Sequence, residues 1–293
     1  MDLILDRRRM LAGAATALYA GMIQRTGAST RKELVLAFIP QENPEKLLVD
    51  VKAITAWLSE TIGLPVRGFV TSDHAAAVEA LRNGDADVSF MGALPYVLAN
   101  RMMGAEIVLA EVYRGKPVYT GRVFVRRDGA IGELADLKGK SIAFSDPLSE
   151  SGYLYPLDLF AEKGLLKRGD DPKSFFGKVY FAGGYQQAIQ AVAAGLVDAA
   201  CASQYAEALL SPQQQVEVKW IAESQPIPSH TVIVRKGLPG DMRGKFVASM
   251  LKLNEPQNRG LLKYVYSPDG YVVAKPSAYD GVRKLAKAYG LLK

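Results

Sequence analysis

Ser149, Glu150 and Ser151 stand side by side in the stretch SDPLSESGYLYP, followed by Gly152 and Tyr153. The strand-like run SIAF ends just before them and a helix pattern begins just after. Two hydroxyls and a residue without a side chain, placed where a helix starts, suit the binding of a small anion. Helix starts carry unpaired N–H donors and a partial positive charge. Hydroxyl rotors turn to suit an acceptor, and glycine lets the backbone come close. The plainer alternative is that the serines only cap the helix. Glu150 is the anomaly, because a carboxylate is itself the kind of group such a site would hold.

Other residues with chemistry to offer are scattered. His74 opens the helical pattern HAAAVEALRN, where an imidazole can donate to an anion and titrate near neutral pH; an ordinary first-turn residue is the alternative. Tyr96, Tyr153, Tyr155 and Tyr185 are either cleft walls or core aromatics. Gln41 and Glu42 follow the first strand-like run, and Ser203 ends the run VDAACAS. Cys201 in that run is read as a buried, inert small residue.

The inventory excludes several classes. One cysteine forbids an internal disulfide, and two histidines, His74 and His230, give no metal-site spacing. There is no G-x-S-x-G elbow, no H-E-x-x-H and no phosphate loop of the G-x-x-x-x-G-K type. Binding without catalysis, and without a cofactor or metal, is the expectation. The net charge is +6, but the first thirty residues hold four arginines against two aspartates, so the rest is only mildly basic. No basic block is interleaved with aromatics there, which argues against a nucleic-acid partner.

The opening thirty residues read as a targeting segment. Arg7, Arg8 and Arg9 precede an apolar, Ala- and Gly-rich stretch from Met10 to Ile23, too short to span a bilayer comfortably. With Met10 and Leu11 the arginines resemble a twin-arginine export signal, with cleavage after Ala20 or Ala28. Export to the periplasm follows as an expectation.

Beyond it, 49% apolar and 23% charged residues in a chain of 293 fit a folded protein with room for two domains. LVLAFIP reads as a buried strand stopped by proline. In the next segment Leu47, Val51, Ile54, Leu58 and Ile62 recur at helical spacing up to Gly63. Strand and helix patterns then alternate, which predicts an α/β fold of mainly parallel sheets with helices on their faces. VYTGRVFVR (118–126) and PIPSHTVIVRKGLP (226–239) read as extended strands crossing between two lobes. The expected division is a leader over 1–30, lobe 1 over 31–122, lobe 2 over 123–230, and a return crossing with C-terminal helices on lobe 1 over 231–293. QYAEALL and GYLYPLDLFAEKGL are expected to be helices. Such a hinged clamp binds its ligand between the lobes, where strand ends and helix starts converge.

Four segments carry a resemblance to a known family. They are VTSDHAAAVEALRNGDADVSFMGALPYVLA, LKGKSIAFSDPLSESGYLYP, GGYQQAIQAVAAGLVDAACAS and IPSHTVIVRKGLP. In this order they resemble the phosphonate/phosphite/phosphate-type periplasmic substrate-binding proteins of ABC transporters, with the type II two-lobed fold. The resemblance implies a monomeric receptor that captures a small oxyanion and presents it to an inner-membrane permease. It implies ligand contacts from Ser149, Ser151, Gly152, Tyr153 and Tyr96, with His74, Tyr185, Gln41 and Ser203 in the cleft. Alternatives on the same fold are a sensory partner of a histidine kinase, including an arsenite-type sensor using Cys201, or an enzyme of the pyrimidine-precursor type.

The chain departs from the family's pattern at marked places. His74 stands where the family commonly has tyrosine, Tyr185 where it has histidine after Gly-Gly, and Gly92-Ala93 where it has Gly-Pro. No acidic residue near Ser203 would grip an amino group, so 2-aminoethylphosphonate is not the expected ligand. Glu150 replaces a small polar residue. A carboxylate within ~4 Å of another anion costs about 4 kcal/mol per pair of unit charges at an effective dielectric of ~20. Either Glu150 points away from the site, or the ligand is not a dianion.

Overall fold

The computed structural model describes residues 33–41 and 43–292; the leader expected over 1–30 and the candidate Glu42 lie outside the described residues. Among the described residues no helix is long and apolar enough to cross a membrane.

The first lobe opens with β1 (Leu34–Phe38), whose five residues are all buried. A run apolar on both faces is what a central strand covered by helices requires. α1 (Pro44–Ile62) starts on Asn43, whose side chain accepts from the N–H groups of Glu45 and Lys46, and stops at Gly63 in the left-handed conformation. There follow β2 (Val66–Val70), α2 (His74–Asn83), β3 (Val88–Met91), α3 (Ala93–Met103) and β4 (Glu106–Glu111). β1 pairs in parallel with both β2 and β3.

The chain crosses to the second lobe through β5 (Val118–Tyr119) and continues into β6 (Gly121–Arg126). That lobe holds β7 (Ser141–Phe144), α4 (Tyr155–Glu162), β8 (Lys178–Phe181), α5 (Tyr185–Ala193), β9 (Ala199–Ser203), α6 (Pro212–Gln215) and β10 (Val218–Glu223). The return runs through β11 (Ile227–Pro228) into β12 (Thr231–Val234), and α7 (Gly240–Lys252), β13 (Tyr271–Val273) and α8 (Asp280–Ala288) complete the described chain.

The strand orders are β13-β4-β12-β3-β1-β2 and β10-β6-β9-β7-β8, with a third, two-stranded sheet formed by β11 and β5. Each crossing ends as an antiparallel insertion in the lobe it enters. β6 lies between β9 and β10, and β12 between β3 and β4. The two crossings also pair with each other, Ile227 opposite Tyr119 and Pro228 opposite Val118. The expected single strand over 118–126 is therefore two strands broken at Thr120, one serving the hinge and one the second sheet.

Apolar cores lie on both faces of each large sheet. In the first lobe Leu81, Tyr96 and Val282 pack in one layer, and Leu36, Ile54 and Phe246 in the other. In the second lobe Phe144, Phe160 and Phe176 fill one layer, and Ile189, Val192 and Phe124 the other.

Two expected helices differ locally. QYAEALL forms only a 3₁₀ turn, Ala206–Leu209. The helix after Ser149 begins as a π-helical turn, Glu150–Leu154, before α4 takes over at Tyr155. Pro156 supplies the reason. It has no N–H to offer the carbonyl of Gly152 four residues earlier. That carbonyl instead accepts from the N–H of Ser145, while the Leu154 N–H reaches back five residues to Ser149. The wider turn carries Glu150 and Ser151.

Gly121, at the start of β6, lies against this turn: a Cβ there would collide with the Ser151 carbonyl. Gly121→Ala is expected to overpack the contact and lower stability by about 1–3 kcal/mol. A denaturant midpoint equal to wild type would show that the turn yields freely.

Candidate functional site

The ends of strands and the starts of helices from both lobes meet around one buried imidazole, that of His230, which immediately precedes β12. Its Nδ1 lies 3.1 Å from Glu111 Oε2 at the end of β4 and 3.1 Å from the Tyr205 hydroxyl after β9. Its Nε2 lies 3.2 Å from the Tyr185 hydroxyl at the start of α5 and 3.4 Å from that of Tyr119 in the hinge strand. Ser151 shares a 2.8 Å hydrogen bond with Tyr185.

Glu150 does not point away. It is 0% exposed. Its Oε1 accepts from the Tyr119 hydroxyl at 2.6 Å and lies 3.7 Å from His230 Nε2. Its Oε2 accepts from the Leu94 N–H at 3.4 Å, in the first turn of α3. A carboxylate from the second lobe thus occupies the donor-rich helix start of the first. Gly92 makes this approach feasible, since a Cβ there would meet both carboxylate oxygens inside van der Waals contact.

The electrostatics follow from burial and proximity. For His230, desolvation works to lower the imidazole's pKa, but the hydrogen bond to Glu111 and the attraction of Glu111 and Glu150 outweigh it, and the net shift is upward. Burial raises the Glu111 carboxyl, with the His230 contact opposing it in part. Burial likewise pushes the Tyr185 and Tyr205 hydroxyls up, so both stay protonated and can donate. His74 moves the other way. Desolvation lowers it, despite attraction from Asp146 and Glu150.

The sequence-predicted residues divide into four groups. Ser151 and Tyr185 belong to the cluster itself. His74, Gln41, Ser203 and Gly152 lie around it. His74 Nδ1 is 4.0 Å from Asp146 Oδ1 of the opposite lobe, and neither it nor the buried Ser203 Oγ has a hydrogen-bond partner of good geometry. The hydroxyl of Ser149 accepts from the Gly152 N–H at 2.9 Å and so caps the π-helical turn. Tyr96 and Tyr153 are corrections, because Tyr96 is a core aromatic and Tyr153, half-buried, packs against the core of its own lobe. Tyr96 packs edge-on against Tyr279 and its hydroxyl accepts from Arg283; the helical phase of α3 turns it away from Glu150. Tyr153 packs on Phe144 and Phe181 within the second lobe. Cys201 is buried in that same core with its thiol pKa raised by desolvation. Sequence reasoning missed His230, Glu111, Tyr119 and Tyr205. The available signal was position: His230 follows the hinge proline Pro228 by two residues, and Tyr119 lies opposite in the other crossing.

Free space adjoins the cluster. A cavity of about 430 Å³ opens between Gln41, Glu111, Tyr113 and Lys263 on the first lobe and Tyr185 and Tyr205 on the second. A second space of about 20 Å³, beside Gln41, Glu111 and His230, has room for roughly one water. Among the described residues no group of three or more side chains is arranged to hold a metal ion.

Two lobes of helix-flanked sheet, joined by paired crossing strands over a polar cluster, define a two-lobed solute-binding fold. The chain belongs to the family described as "ABC transporter, phosphonate, periplasmic substrate-binding protein", whose model matches residues 36–279. A curated relative, the "Phosphate-import protein PhnD" of Mycolicibacterium smegmatis, is 34% identical over 172 residues, which cover 57% of this chain and 53% of that protein. The match thus spans about half the length of that relative. The binding-protein component of an ABC phosphonate transporter from Pseudomonas aeruginosa has a similar structure, with a TM-score of 0.78 and 22% identity over 86% of this chain and 85% of that one. PhnD1 from Prochlorococcus marinus, in complex with methylphosphonate, gives a TM-score of 0.79 at 17% identity, over 89% of this chain and 99% of that one.

The chain contains only two histidines, so ring-proton NMR reads them individually, with His230→Gln assigning the pair. One is expected to titrate above the ordinary value of about 6.5 and one below it. Raised in the fold, His230 adds stability that is fully present below the unfolded value and lost as pH rises through its folded value. Lowered in the fold, His74 disfavours the folded state below the unfolded value, and this cost fades as pH rises. Two resonances both titrating at the ordinary value would refute the burial of the cluster.

Proposed function

We propose that the protein is the solute receptor of an ABC importer, capturing a small oxyanion of the phosphonate, phosphite or phosphate class between its lobes. The observation that carries this reading is the convergence of polar groups from both lobes and the hinge on one buried point: the Ser151, Tyr185 and Tyr205 hydroxyls and the His230 ring, beside the Tyr119 hydroxyl and the first turn of α3, which donate to Glu150. Preorganised donors of this kind are what an oxyanion without its water shell needs. The family match and the import role named for the mycobacterial relative support the same reading.

In this reading the receptor binds and releases without chemistry, as an exported periplasmic monomer. Lobe 1 runs from 31 to 122, lobe 2 from 123 to 230, and the return with its C-terminal helices from 231 to 293. Ligand closes the lobes, and the closed surface is what the inner-membrane permease recognises. Ser151, Tyr185 and His230 make direct contacts. Gly152 and Ser149 shape the turn that presents Ser151, and Gln41, His74 and Ser203 line the approach.

Thermal unfolding of the exported form with phosphite, phosphate and methylphosphonate tests the reading. A ligand present at 100 times its dissociation constant is expected to add about 2.7 kcal/mol of stability. Ser151→Ala is expected to weaken binding by about 1–3 kcal/mol with the fold intact. Ser149→Ala is expected to cost about 1 kcal/mol of stability through the lost cap. The absence of a shift with every oxyanion would reject the proposed function, and unchanged affinity in Ser151→Ala would reject the site.

A further inference from the structure

We infer that the receptor prefers an oxyanion bearing a ring or a similarly bulky apolar substituent, lodged between Tyr113 and Tyr266 of the first lobe and Tyr205 and Leu209 of the second. The inference rests on the oxyanion reading above and names the class of compound within it.

Size is the first argument. The cavity beside the cluster measures about 430 Å³. A tetrahedral oxyanion of five heavy atoms fills roughly 60–100 Å³, on the scale of ~30 Å³ per water. Such an ion leaves most of the space to water against apolar walls. Pockets of this size, lined by aromatic and apolar groups with a few polar ones, suit organic ligands.

Continuity with the cluster is the second. The Tyr185 hydroxyl meets Ser151, the Tyr205 hydroxyl meets His230, and both residues also line the cavity. A tyrosine with its polar tip on one side and its apolar body on the other marks the border between two environments. On the far side of the cluster Glu150, 0% exposed, fills the space against the start of α3. A ligand held at the cluster therefore extends into the cavity. Lys46 and Lys263 line the cavity too, and its carboxylate, Glu111, is paired with His230, so an anion can enter.

The walls are held in place. Tyr113 opens a tight turn that closes at Lys116 through Arg114 and Gly115, both with positive φ. Its ring lies 5.5 Å from that of Tyr205 on the opposite lobe, centroid to centroid. The Gly115 N–H donates to Asp269 at 3.0 Å, which ties the turn to the loop carrying Pro268, another lining residue. Tyr266 has a φ of 58°, a left-handed conformation that bulky residues rarely adopt. Strain of this kind gathers at ligand sites. The Tyr266 hydroxyl donates to Asp50 at 3.1 Å, and Lys46 stands 5.1 Å from the ring centroid, so the side chain is fixed at the cavity wall.

Methylphosphonate and phenylphosphonate provide the probe. At mildly acidic pH both are monoanions with the same head group, and they differ only in the substituent. Calorimetric titration of the wild-type protein is expected to show phenylphosphonate preferred by about 10- to 100-fold, the yield of burying roughly 50–100 Å² of apolar surface. Two variants approach the cavity from opposite lobes. Tyr266→Gly removes one wall and suits the left-handed backbone, while Ala208→Trp, at an exposed lining position, fills the space. In each the ratio is expected to fall toward one, and far-ultraviolet circular dichroism of the unliganded variants confirms their fold. A wild-type ratio of one or below overturns the inference and leaves the oxyanion reading standing, as does binding of phosphite or phosphate but of neither phosphonate. A preference unchanged in both variants overturns it too, since the ring would then lie elsewhere. Binding of none of the four ions overturns the oxyanion reading and this inference with it.

Discussion

A carboxylate buried between two lobes is the constraint on which the rest of the site depends. An ion removed from water needs partners, and the cost of leaving it unpaired exceeds that of most single contacts in a fold. Glu150 finds its partners on the opposite lobe and in the hinge: the start of α3, the Tyr119 hydroxyl and, slightly farther, His230. His230 is tied in turn to Glu111, so one imidazole stands between two buried carboxylates. Its upward shift and the protonated state of the surrounding tyrosines follow from that arrangement. The cluster is a network in which each member satisfies another, the condition under which buried polar groups are tolerated.

The fold supplies this network cheaply because of where strands end. Glu111 closes β4, Ser203 closes β9, and Tyr185 opens α5, so all three lie at the carboxyl edge of their sheets, as expected for open α/β sheets. The hinge adds what the lobes cannot. Tyr119 and His230 lie on the two crossings, which pair with each other in a two-residue ladder. The ring that groups of both lobes contact is thus carried by the strands that join the lobes.

Much of this was legible in the sequence, for physical reasons that also explain the failures. Apolar runs such as LVLAFIP and the i, i+3, i+4 pattern of α1 located strands and helices, because burial dictates periodicity whatever the tertiary context. The segment around Ser151 stood out because hydroxyls and glycine gather at a helix start, where Ser149 serves as the cap. Tyr96 was misplaced because a tyrosine reads the same in a core and in a cleft; only the phase of α3 decides, and it turns the ring toward Tyr279. His230 was missed because its value lies in long-range contacts with Glu111, Tyr185 and Tyr119, which come together only after both crossings have formed. The π-helical turn was hidden because it depends on what Pro156 withholds, and one missing N–H leaves no trace in a periodicity.

The sequence left two readings of Glu150: a carboxylate turned outward, or a site that does not take a dianion. The geometry closes the first. An outward Glu150 would leave the Leu94 N–H and the Tyr119 hydroxyl without the acceptor they now share. It would also empty the space against Gly92 that the carboxylate now fills. A glycine needed for space rather than for φ marks a close approach, and here the approaching group is the carboxylate itself. Two residues far apart in the chain therefore fit one another at this contact, and the carboxylate's place is set by the first lobe as much as by its own turn.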